Sequence, residues 1–293
     1  MISVIIPTFN RAATILRAAQ SILDQTYKDI ELIIVDDASS DNTNEKIGLL
    51  KDERLKYIRL SKNAGACKAR NYGINIASGE FIAFNDSDDV WHPNKLEEQL
   101  HYLKDSGADI VSCKMRQHHI DGNIKIFPNR NYQGFVTPQD LLLDGKLSTQ
   151  EILGKSFCFK NNLFDEELPR FQDWELSIRL AKQYKVVIQD CVLVDQYLQK
   201  DSISYGAKKA LEAIEIIERK YEQIISADNK IKASIWARKG FYTLLNHKNP
   251  RNEYAVSVKS KFTLKSAIFL VMSVCGVINL FARLHYGILY TKR

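Results

Sequence analysis

Short apolar runs alternate with stretches of helical periodicity between Ile2 and Cys113. The runs are mainly aliphatic and aromatic, which predicts strands buried on both faces of a sheet; they read ISVIIP, IELIIV, LKYIRL, EFIAFN and ADIVSC. The stretches between them repeat apolar residues at helical spacing and cover Asn10–Asp24, Asn42–Leu50, Ala66–Ala77 and the residues after Pro93. This alternation predicts an α/β fold with a mostly parallel central sheet flanked by helices.

Polar side chains follow several of these strands at the point where each strand ends. Because ligands of such sheets bind outside the carboxyl ends of the strands, these side chains are candidates for a binding site. The first strand is followed by Pro7, Thr8, Phe9, Asn10 and Arg11, IELIIV by Asp36 and Asp37, and EFIAFN by Asp86, Asp88 and Asp89. Carboxylates this close repel one another, and a bound cation removes the repulsion. We therefore expect a cleft that holds a cation and an anionic ligand.

The acidic segment Asp86–Asp89 can be compared with known kinds of site. An EF-hand calcium loop is excluded because Val90 and Trp91 occupy the positions of a ligand and of the required glycine. A Rossmann dinucleotide site is excluded because Pro7–Asn10 stands where a glycine-rich turn is needed. An Asp-x-Asp pair remains, whose oxygen ligands select Mg²⁺ or Mn²⁺, with diphosphate oxygens and waters completing the shell. A solvated acidic loop is the alternative.

Composition places the chain among ordinary globular proteins. It has 293 residues, of which 45% are hydrophobic and 26% charged. The five cysteines lack C-x-x-C spacing, which favours reduced thiols over a zinc site or a disulfide framework. The start, MISVIIPTFNR, has neither the basic nor the long apolar segment of a secretory signal. A cytoplasmic location is therefore expected.

The formal net charge of +6 is distributed unevenly along the chain. From Lys230 onward Glu253 is the only acid among many lysines and arginines. Nucleic acid and an anionic membrane surface are the two partners that such a basic tail suggests. The uncharged stretch SAIFLVMSVCGVINLFA, between Lys265 and Arg283, is shorter than the ~20 residues of a spanning helix. We therefore expect a helix that lies on a membrane, with a buried C-terminal helix as the alternative and no nucleic-acid partner.

Several segments, taken in order, resemble glycosyltransferase family 2. They are SVIIPTFNR, ELIIVDDASSDNT, NAGACKARNYGINIASGEFIAFNDSDD and FQDWELSIRLA, and together they span Ser3 to Ala181. The resemblance implies a nucleotide-sugar-dependent, inverting glycosyltransferase of the GT-A fold. It does not extend to the basic tail.

The resemblance also implies a role for each matching residue. Pro7, Thr8 and Phe9 are implied to contact the base and ribose of the donor, and Asp37 to bond the base, which is commonly uracil. Arg70 and Lys68 are implied to lie near the diphosphate. Asp86 is implied to face the ribose or the donor sugar. Asp88 matches the metal ligand and Asp173 the general base, whereas Asp36 is expected to support its own loop. Many relatives have Glu-Asp where this chain has Gln172-Asp173, a departure that retains the position of the base.

Together with the basic tail, the resemblance thus implies an enzyme that uses Mn²⁺ or Mg²⁺ and moves a sugar from a UDP-sugar to a hydroxyl of a glycan or lipid-linked acceptor in surface polysaccharide biosynthesis. A metal-dependent nucleotidyltransferase and a non-catalytic nucleotide-sugar-binding module of the same fold are the alternatives. The predicted GT-A catalytic domain covers residues 1–205, with a nucleotide-sugar-binding part at 1–109 and an acceptor-binding part at 110–205. A helical extension at 206–258 and a membrane-associating tail at 259–293 follow, and the protein is expected to associate peripherally with the cytoplasmic face of a membrane.

Overall fold

The computed structural model describes residues 1–128, 133–143, 147–198, 206–275 and 278. The chain divides into two compact units. The first contains the described residues of Met1–Pro138, Lys146–Glu166 and Gln172–Ser202, and the second those of Gln139–Gly145, Glu167–Phe171 and Ile203–Arg293.

The strands and helices follow one another in the order that the sequence pattern predicts for the first half of the chain. The strands are β1 (Ile2–Thr8), β2 (Ile30–Asp36), β3 (Leu55–Arg59), β4 (Phe81–Phe84), β5 (Val90–Trp91), β6 (Ile110–His118), β7 (Ile124–Phe127), β8 (Gly134–Val136), β9 (Ile152–Lys155) and β10 (Val186–Tyr197). The helices are α1 (Ile15–Leu23), α2 (Thr43–Ile47), α3 (Ala66–Ile76), α4 (Lys95–Ser106), α5 (Pro138–Leu143), α6 (Ser156–Lys160), α7 (Gln172–Gln183), α8 (Ala207–Lys220), α9 (Glu222–Ala227), α10 (Asn229–Leu245), α11 (Arg251–Ser260) and α12 (Leu264–Val274), with a 3-10 turn at Thr149–Glu151.

All the described strands belong to one sheet in the first unit, in the order β3-β2-β1-β4-β9-β6-β10-β5, with β7 beside β6 and β8 beside β10. The strands β3, β2, β1 and β4 are parallel, and so is the long β6–β10 pair. The remaining pairs are antiparallel. The predicted α/β fold is confirmed, and its longest ladders are parallel, but the antiparallel strands β5, β7, β8 and β9 were not predicted.

Burial explains why the apolar runs form the centre of the sheet. Every residue of β1, β2 and β4 is buried, as expected of strands covered on both faces. Helix α1 buries the apolar stripe that its periodicity predicts, Ile15, Ala18, Ala19, Ile22 and Leu23. Helix α4 ends at Gly107, whose φ of 64° is the left-handed conformation that glycine adopts most readily. The candidate site residues at the carboxyl ends of β1, β2 and β4 therefore follow strands that are fixed in the core.

The second unit is helical. The stretch Gly206–Asn246, predicted to be helical, contains α8, α9 and α10, which are separated at Tyr221 and Asp228. The chain is not helical at Asp228, which caps the start of α10. Its side chain accepts from the backbone N–H groups of Lys230 and Ile231. The prediction of a helical segment is thus correct, but its division into separate helices was not foreseen.

The predicted domain boundaries stay predictions. The boundary at residue 205 lies outside the described residues, and the one at 258 falls within α11. The predicted tail is described only as far as residue 275 and at 278, so Arg283 and the residues after it lie outside the described part. Within the part that is described, no helix has both the length and the apolar character needed to cross a membrane.

Candidate active site

The loops that follow β1 and β2 are tied together by hydrogen bonds. Asn10 donates its backbone N–H to Ser39 Oγ at 2.9 Å and accepts from the backbone N–H of Ser40 at 2.8 Å. Its φ of 52° is left-handed, a conformation that asparagine tolerates better than most residues. The next residue, Arg11, donates its backbone N–H to Thr43 Oγ1 at 2.9 Å. These bonds bring the polar residues after the two strands to a common edge of the sheet.

Asp36 holds the loop after β2 in place. Its carboxylate accepts from the backbone N–H and the hydroxyl of Ser39 at 2.8 and 2.6 Å, and from Tyr57 Oη at 2.6 Å. Between Asp36 and Ser39, Ala38 has a φ of 62°, a conformation that a non-glycine residue keeps only when its surroundings enforce it. These contacts are those of a loop-supporting residue, as the sequence predicts for Asp36.

Asp37 connects the loop after β2 to the start of α3. Its two carboxylate oxygens accept from the backbone N–H of Ala64 at 2.7 Å and of Gly65 at 2.8 Å, and its own N–H donates to the Thr8 carbonyl. The carboxylate is buried. Each oxygen retains a second lone pair, so these bonds are compatible with the contact to a base that is predicted for Asp37.

Arg70 reaches from α3 to the acidic segment. Its Nη2 donates to Asp86 Oδ1 at 2.7 Å, and its guanidinium lies 5.4 Å from the ring centroid of Phe164. Its Nε is buried and has no hydrogen-bond partner among the described residues. Lys68 is exposed on the same helix. Arg70 is therefore held beside Asp86, with its Nε in the protein interior.

Asp88 lies next to Asp86 without a comparably close cation. Arg11 Nε is 3.8 Å from Asp88 Oδ2. Burial and the negative charge of Asp86 raise the pKa of the Asp88 carboxyl, and Arg11 only partly opposes them. A raised carboxyl pKa means that the ionised form lacks compensating positive charge, which a cation would supply.

Asp89 fixes the acidic segment Asp86–Asp89 through buried hydrogen bonds. It is almost fully buried, and its carboxylate accepts from the backbone N–H of Tyr197 and from Gln150 Nε2, both at 3.1 Å. Burial, with the charges of Asp86 and Asp88, raises its pKa well above the ordinary value. Asp89 therefore stabilises the loop and is not placed to hold a ligand in solvent.

The donor set at this edge fits a hard divalent cation. Among the described residues no three His, Cys, Asp or Glu side chains are arranged to hold a metal, so protein ligands alone would not complete a shell. Asp88 supplies one carboxylate whose charge is poorly compensated, whereas Asp86 is already bonded to Arg70. Mg²⁺ in particular is commonly bound by one or two carboxylates together with phosphate oxygens and waters. A metal held by Asp88 and a diphosphate therefore fits these residues.

Asp173 is the second residue of α7 and is partly exposed. Its Oδ1 accepts from the backbone N–H of Trp174 at 2.9 Å. Burial raises the pKa of the Cys67 thiol to about 11; Arg70 opposes the rise, and Asp165, Glu166 and Asp173 add to it.

Asn71 fixes the segment that leads towards α7. Its side chain donates to the carbonyl of Phe164 at 3.0 Å and to Glu166 Oε1 at 2.9 Å, and it accepts from the backbone N–H of Phe164 at 2.8 Å. The side chain is buried. The segment ARN thus links the donor side, through Arg70, to the chain that precedes Asp173.

The structure brings most of the predicted site residues to one edge of the sheet. Thr8 is buried and its Oγ1 has no partner among the described residues, whereas Phe9 is exposed and Pro7 is buried. Their roles, like those of the other predicted site residues, stay predictions. Sequence reasoning assigned no role to further residues that contact the acidic segment, namely Arg11, Arg17, Gln150 and Tyr197.

Comparison with known proteins agrees with the resemblance seen in the sequence. The sequence profile described as "Glycosyl transferase family 2" matches residues 3–167. WfgD of Escherichia coli, named as a UDP-Glc:alpha-D-GlcNAc-diphosphoundecaprenol beta-1,3-glucosyltransferase, is 39% identical over 217 residues, which cover 72% of this chain and 82% of that protein. An uncharacterised glycosyltransferase of Rickettsia conorii is 34% identical over 70% of this chain. The match spans only 33% of the length of that relative.

Two solved structures have a similar architecture. TarS of S. aureus, residues 1–349 in complex with UDP-GlcNAc, has a TM-score of 0.64 at 18% identity, covering 96% of this chain and 91% of that one. The mannosyltransferase PcManGT of Pyrobaculum calidifontis, in complex with GDP-Man and Mn2+, has a TM-score of 0.63 at 17% identity, covering 96% and 81%. At such identities the likeness establishes the fold alone, and it confirms the predicted GT-A fold.

Proposed function

The chain belongs to glycosyltransferase family 2, and from this membership we propose that it transfers a sugar from a nucleotide-diphosphate sugar, a UDP-sugar, to a hydroxyl of a glycan or lipid-linked saccharide. The observation that carries the proposal is the arrangement of Arg70, Asp86 and Asp88 at the carboxyl end of β4. This arrangement offers positive and negative groups at the edge where ligands of such sheets bind.

The donor side of the site can bind a diphosphate and a metal at once. Asp88 would hold Mn²⁺ or Mg²⁺, and a divalent cation supplies Lewis-acid neutralisation of the charge on a departing diphosphate. Arg70 lies beside Asp86, with Nη2 2.7 Å from Asp86 Oδ1, and a guanidinium is well suited to phosphate oxygens. The raised pKa of Asp88 supports the assignment, because it marks a carboxylate whose charge is poorly compensated within the protein.

The acceptor side is assigned to Asp173. A sugar hydroxyl is a poor nucleophile, so a positioned carboxylate that takes its proton accelerates attack. Attack from the face opposite the leaving diphosphate inverts the anomeric carbon. The hydrogen bonds of Asn71, the residue after Arg70, to Phe164 and Glu166 in the segment that precedes α7 support a general base near the donor groups.

The class of donor and acceptor is proposed from the relatives. The E. coli relative is named for UDP-Glc and a diphosphoundecaprenol-linked acceptor, and TarS was solved with UDP-GlcNAc. PcManGT, solved with GDP-Man and Mn2+, supports a metal-assisted reaction and leaves GDP as the competing nucleotide. We assign a UDP-sugar donor, a lipid-linked saccharide acceptor and a place in surface polysaccharide biosynthesis.

Membrane association is proposed for the described part of the tail. Helix α12 buries Phe269, whose ring stacks on Tyr254 at a centroid distance of 5.3 Å. Its other side exposes apolar residues, including Leu264, Ile268 and Val271, which are 69%, 48% and 60% exposed. Lysines 259, 261 and 265 lie close to them in the chain. An apolar face flanked by lysines is complementary to an anionic lipid surface, and we place the protein peripherally at the cytoplasmic face.

Product analysis tests the proposed reaction. The purified protein is incubated with UDP-glucose or UDP-N-acetylglucosamine and a lipid-linked saccharide acceptor, and the nucleotide product is identified. A glycosyltransferase releases nucleoside diphosphate as the acceptor gains a sugar. Formation or consumption of pyrophosphate would instead indicate a nucleotidyltransferase, and donor binding without any turnover would indicate a binding module.

A further inference from the structure

Arg17 contacts the main chain of the proposed metal ligand. It lies on α1 and donates from Nη2 to the carbonyl oxygen of Asp88 at 2.8 Å. The two residues are far apart in sequence, and the bond joins the first helix to the loop after β4. This contact restrains the peptide that follows Asp88, and so the direction in which its side chain leaves the backbone.

Tyr197, at the end of β10, holds both Arg17 and the acidic segment. The guanidinium carbon of Arg17 lies 4.0 Å from the ring centroid of Tyr197, within the range of a cation–π interaction. The backbone N–H of Tyr197 donates to Asp89 Oδ1 at 3.1 Å. Tyr197 therefore restrains both acids: it holds Arg17, which bonds the carbonyl of Asp88, and it bonds Asp89 directly.

The ring of Tyr197 is itself fixed by its neighbours. It stacks on His118 with a centroid distance of 4.7 Å and an angle of 8° between the ring planes. His118 Nε2 lies 2.7 Å from Asp195 Oδ1, and Asp195 Oδ2 lies 3.0 Å from Nε2 of His92, which follows β5. Contacts thus run from Arg17 through Tyr197, His118 and Asp195 to His92, the residue after β5.

We propose that Arg17 is a positioning residue for Asp88, orienting it towards the cation in the nucleotide-bound state; the inference rests on the proposed function. Residues that hold a metal ligand without touching the metal commonly contribute 10–100-fold to affinity. Arginine suits this role because its planar guanidinium can stack on an aromatic ring and donate to a carbonyl at the same time. Lysine can reproduce the charge and the hydrogen bond, but not the planar stacking.

The test measures the coupling between metal and nucleotide, which does not depend on turnover. UDP and GDP are each titrated into the protein by calorimetry, once with Mn²⁺ and once with EDTA. The ratio of the two dissociation constants for the nucleotide that binds gives the coupling. The variants are Arg17→Met, Arg17→Lys, Tyr197→Phe, Tyr197→Leu and Asp88→Asn.

A matched control is available in the same unit. Arg54 Nη2 also donates to a backbone carbonyl, that of Leu23, at 3.0 Å, and pairs with Asp52. Arg54→Met thus removes a similar contact away from the acidic segment. Melting temperatures of all variants show whether each is folded at the temperature of the titration.

We expect Arg17→Met and Tyr197→Leu to reduce the coupling ~10-fold while leaving nucleotide affinity in EDTA unchanged. Arg17→Lys should recover part of the coupling, and Tyr197→Phe and Arg54→Met should equal the wild type. If the wild type shows coupling that Asp88→Asn abolishes and Arg17→Met retains, the positioning role is wrong and the proposed function stands. A wild-type protein without coupling would overturn the metal assignment, and this proposal with it.

Discussion

Arg70 donates to Asp86 at 2.7 Å, and this ion pair distinguishes the two acids of the Asp-x-Asp segment. Asp86 already has a guanidinium on one oxygen, which favours a contact with the donor over a direct bond to a metal. The carboxylate of Asp88 has Arg11 Nε at 3.8 Å, and Arg17 contacts its backbone carbonyl, yet burial and Asp86 still raise its pKa. The difference in charge compensation supports Asp88 as the metal ligand.

Asp88→Asn should abolish chelator-sensitive activity, with a loss of at least ~100-fold in kcat, because an amide cannot supply the anionic ligand. The same change should not lower the melting temperature. Ionised Asp88 is disfavoured in the folded protein, as its raised pKa indicates, so a neutral side chain removes an unfavourable charge.

The control for this variant is Asp105→Asn, an exposed acid at the end of α4 that pairs with His101. It should leave both activity and melting unchanged. Normal turnover by Asp88→Asn at saturating Mn²⁺ would refute the assignment of the ligand.

Asp173→Asn should lower kcat by ~10²–10⁴-fold, the usual contribution of a general base. Nucleotide affinity with Mn²⁺ should remain, because the donor groups are elsewhere. Gln172→Glu, which introduces the Glu-Asp pair that the family resemblance implies at this position, serves as the matched change and should keep activity. Equal losses in the two variants would point to disturbance of the start of α7 and not to loss of a base.

Glu31 offers a test of the fold that is independent of the site. Its carboxylate is buried, and although burial alone raises the pKa, hydrogen bonds from Lys56, Ser3 and Ser78 lower it from 4.5 to about 2. A lowered folded-state pKa stabilises the protein above the unfolded value, and the contribution is lost as the pH falls towards 2. At ~1.4 kcal/mol per pKa unit the shift is worth ~3 kcal/mol at neutral pH.

Glu31→Gln should therefore reduce the free energy of unfolding, measured with urea, by ~3 kcal/mol at pH 7. At pH 3 the reduction should be less than half as large. Glu53→Gln, an exposed change next to β3, should have little effect at either pH. A deficit that does not shrink on acidification would contradict the role given to the ionised carboxylate.

Helix α12 should bind vesicles that contain anionic lipid. Replacing Ile268 and Val271 by serine should release the protein from phosphatidylglycerol vesicles in a flotation assay, because both side chains belong to the exposed apolar face. Replacing the lysines at 259, 261 and 265 by glutamine should weaken binding by ~1 kcal/mol each and reduce its salt dependence.

Leu49→Ser is the control for the vesicle assay, since Leu49 is 64% exposed in the other unit. It should leave flotation unchanged. If the wild-type protein never floats with anionic vesicles, the exposed face of α12 serves another purpose.

The central strands were predictable from the sequence because they are buried on both faces. Such burial leaves uninterrupted apolar runs, as in ISVIIP and IELIIV, and α1 presents its buried stripe at regular spacing. The strands β8 and β9 have three and four residues, too few for periodicity to distinguish them from loops. Their antiparallel pairing depends on neighbours that are distant in the chain.

The acidic segment was predictable because carboxylates at the end of an apolar strand are conspicuous. Its supports were not. Arg17 donates to a backbone carbonyl, a group that any residue type at position 88 would supply. Gln150 reaches Asp89 from a segment 61 residues away, and nothing local identifies a glutamine as the partner of a buried acid.

The central claim is that this chain moves a sugar from a nucleotide donor with the help of a divalent cation held by Asp88. The most direct measurement is the release of nucleoside diphosphate by purified protein from a panel of UDP- and GDP-sugars with Mn²⁺, in the presence and absence of a chelator. We predict release from at least one UDP-sugar that EDTA abolishes and added Mn²⁺ restores. Release that is indifferent to the chelator, or no release from any donor in the presence of a lipid-linked acceptor, would contradict the claim.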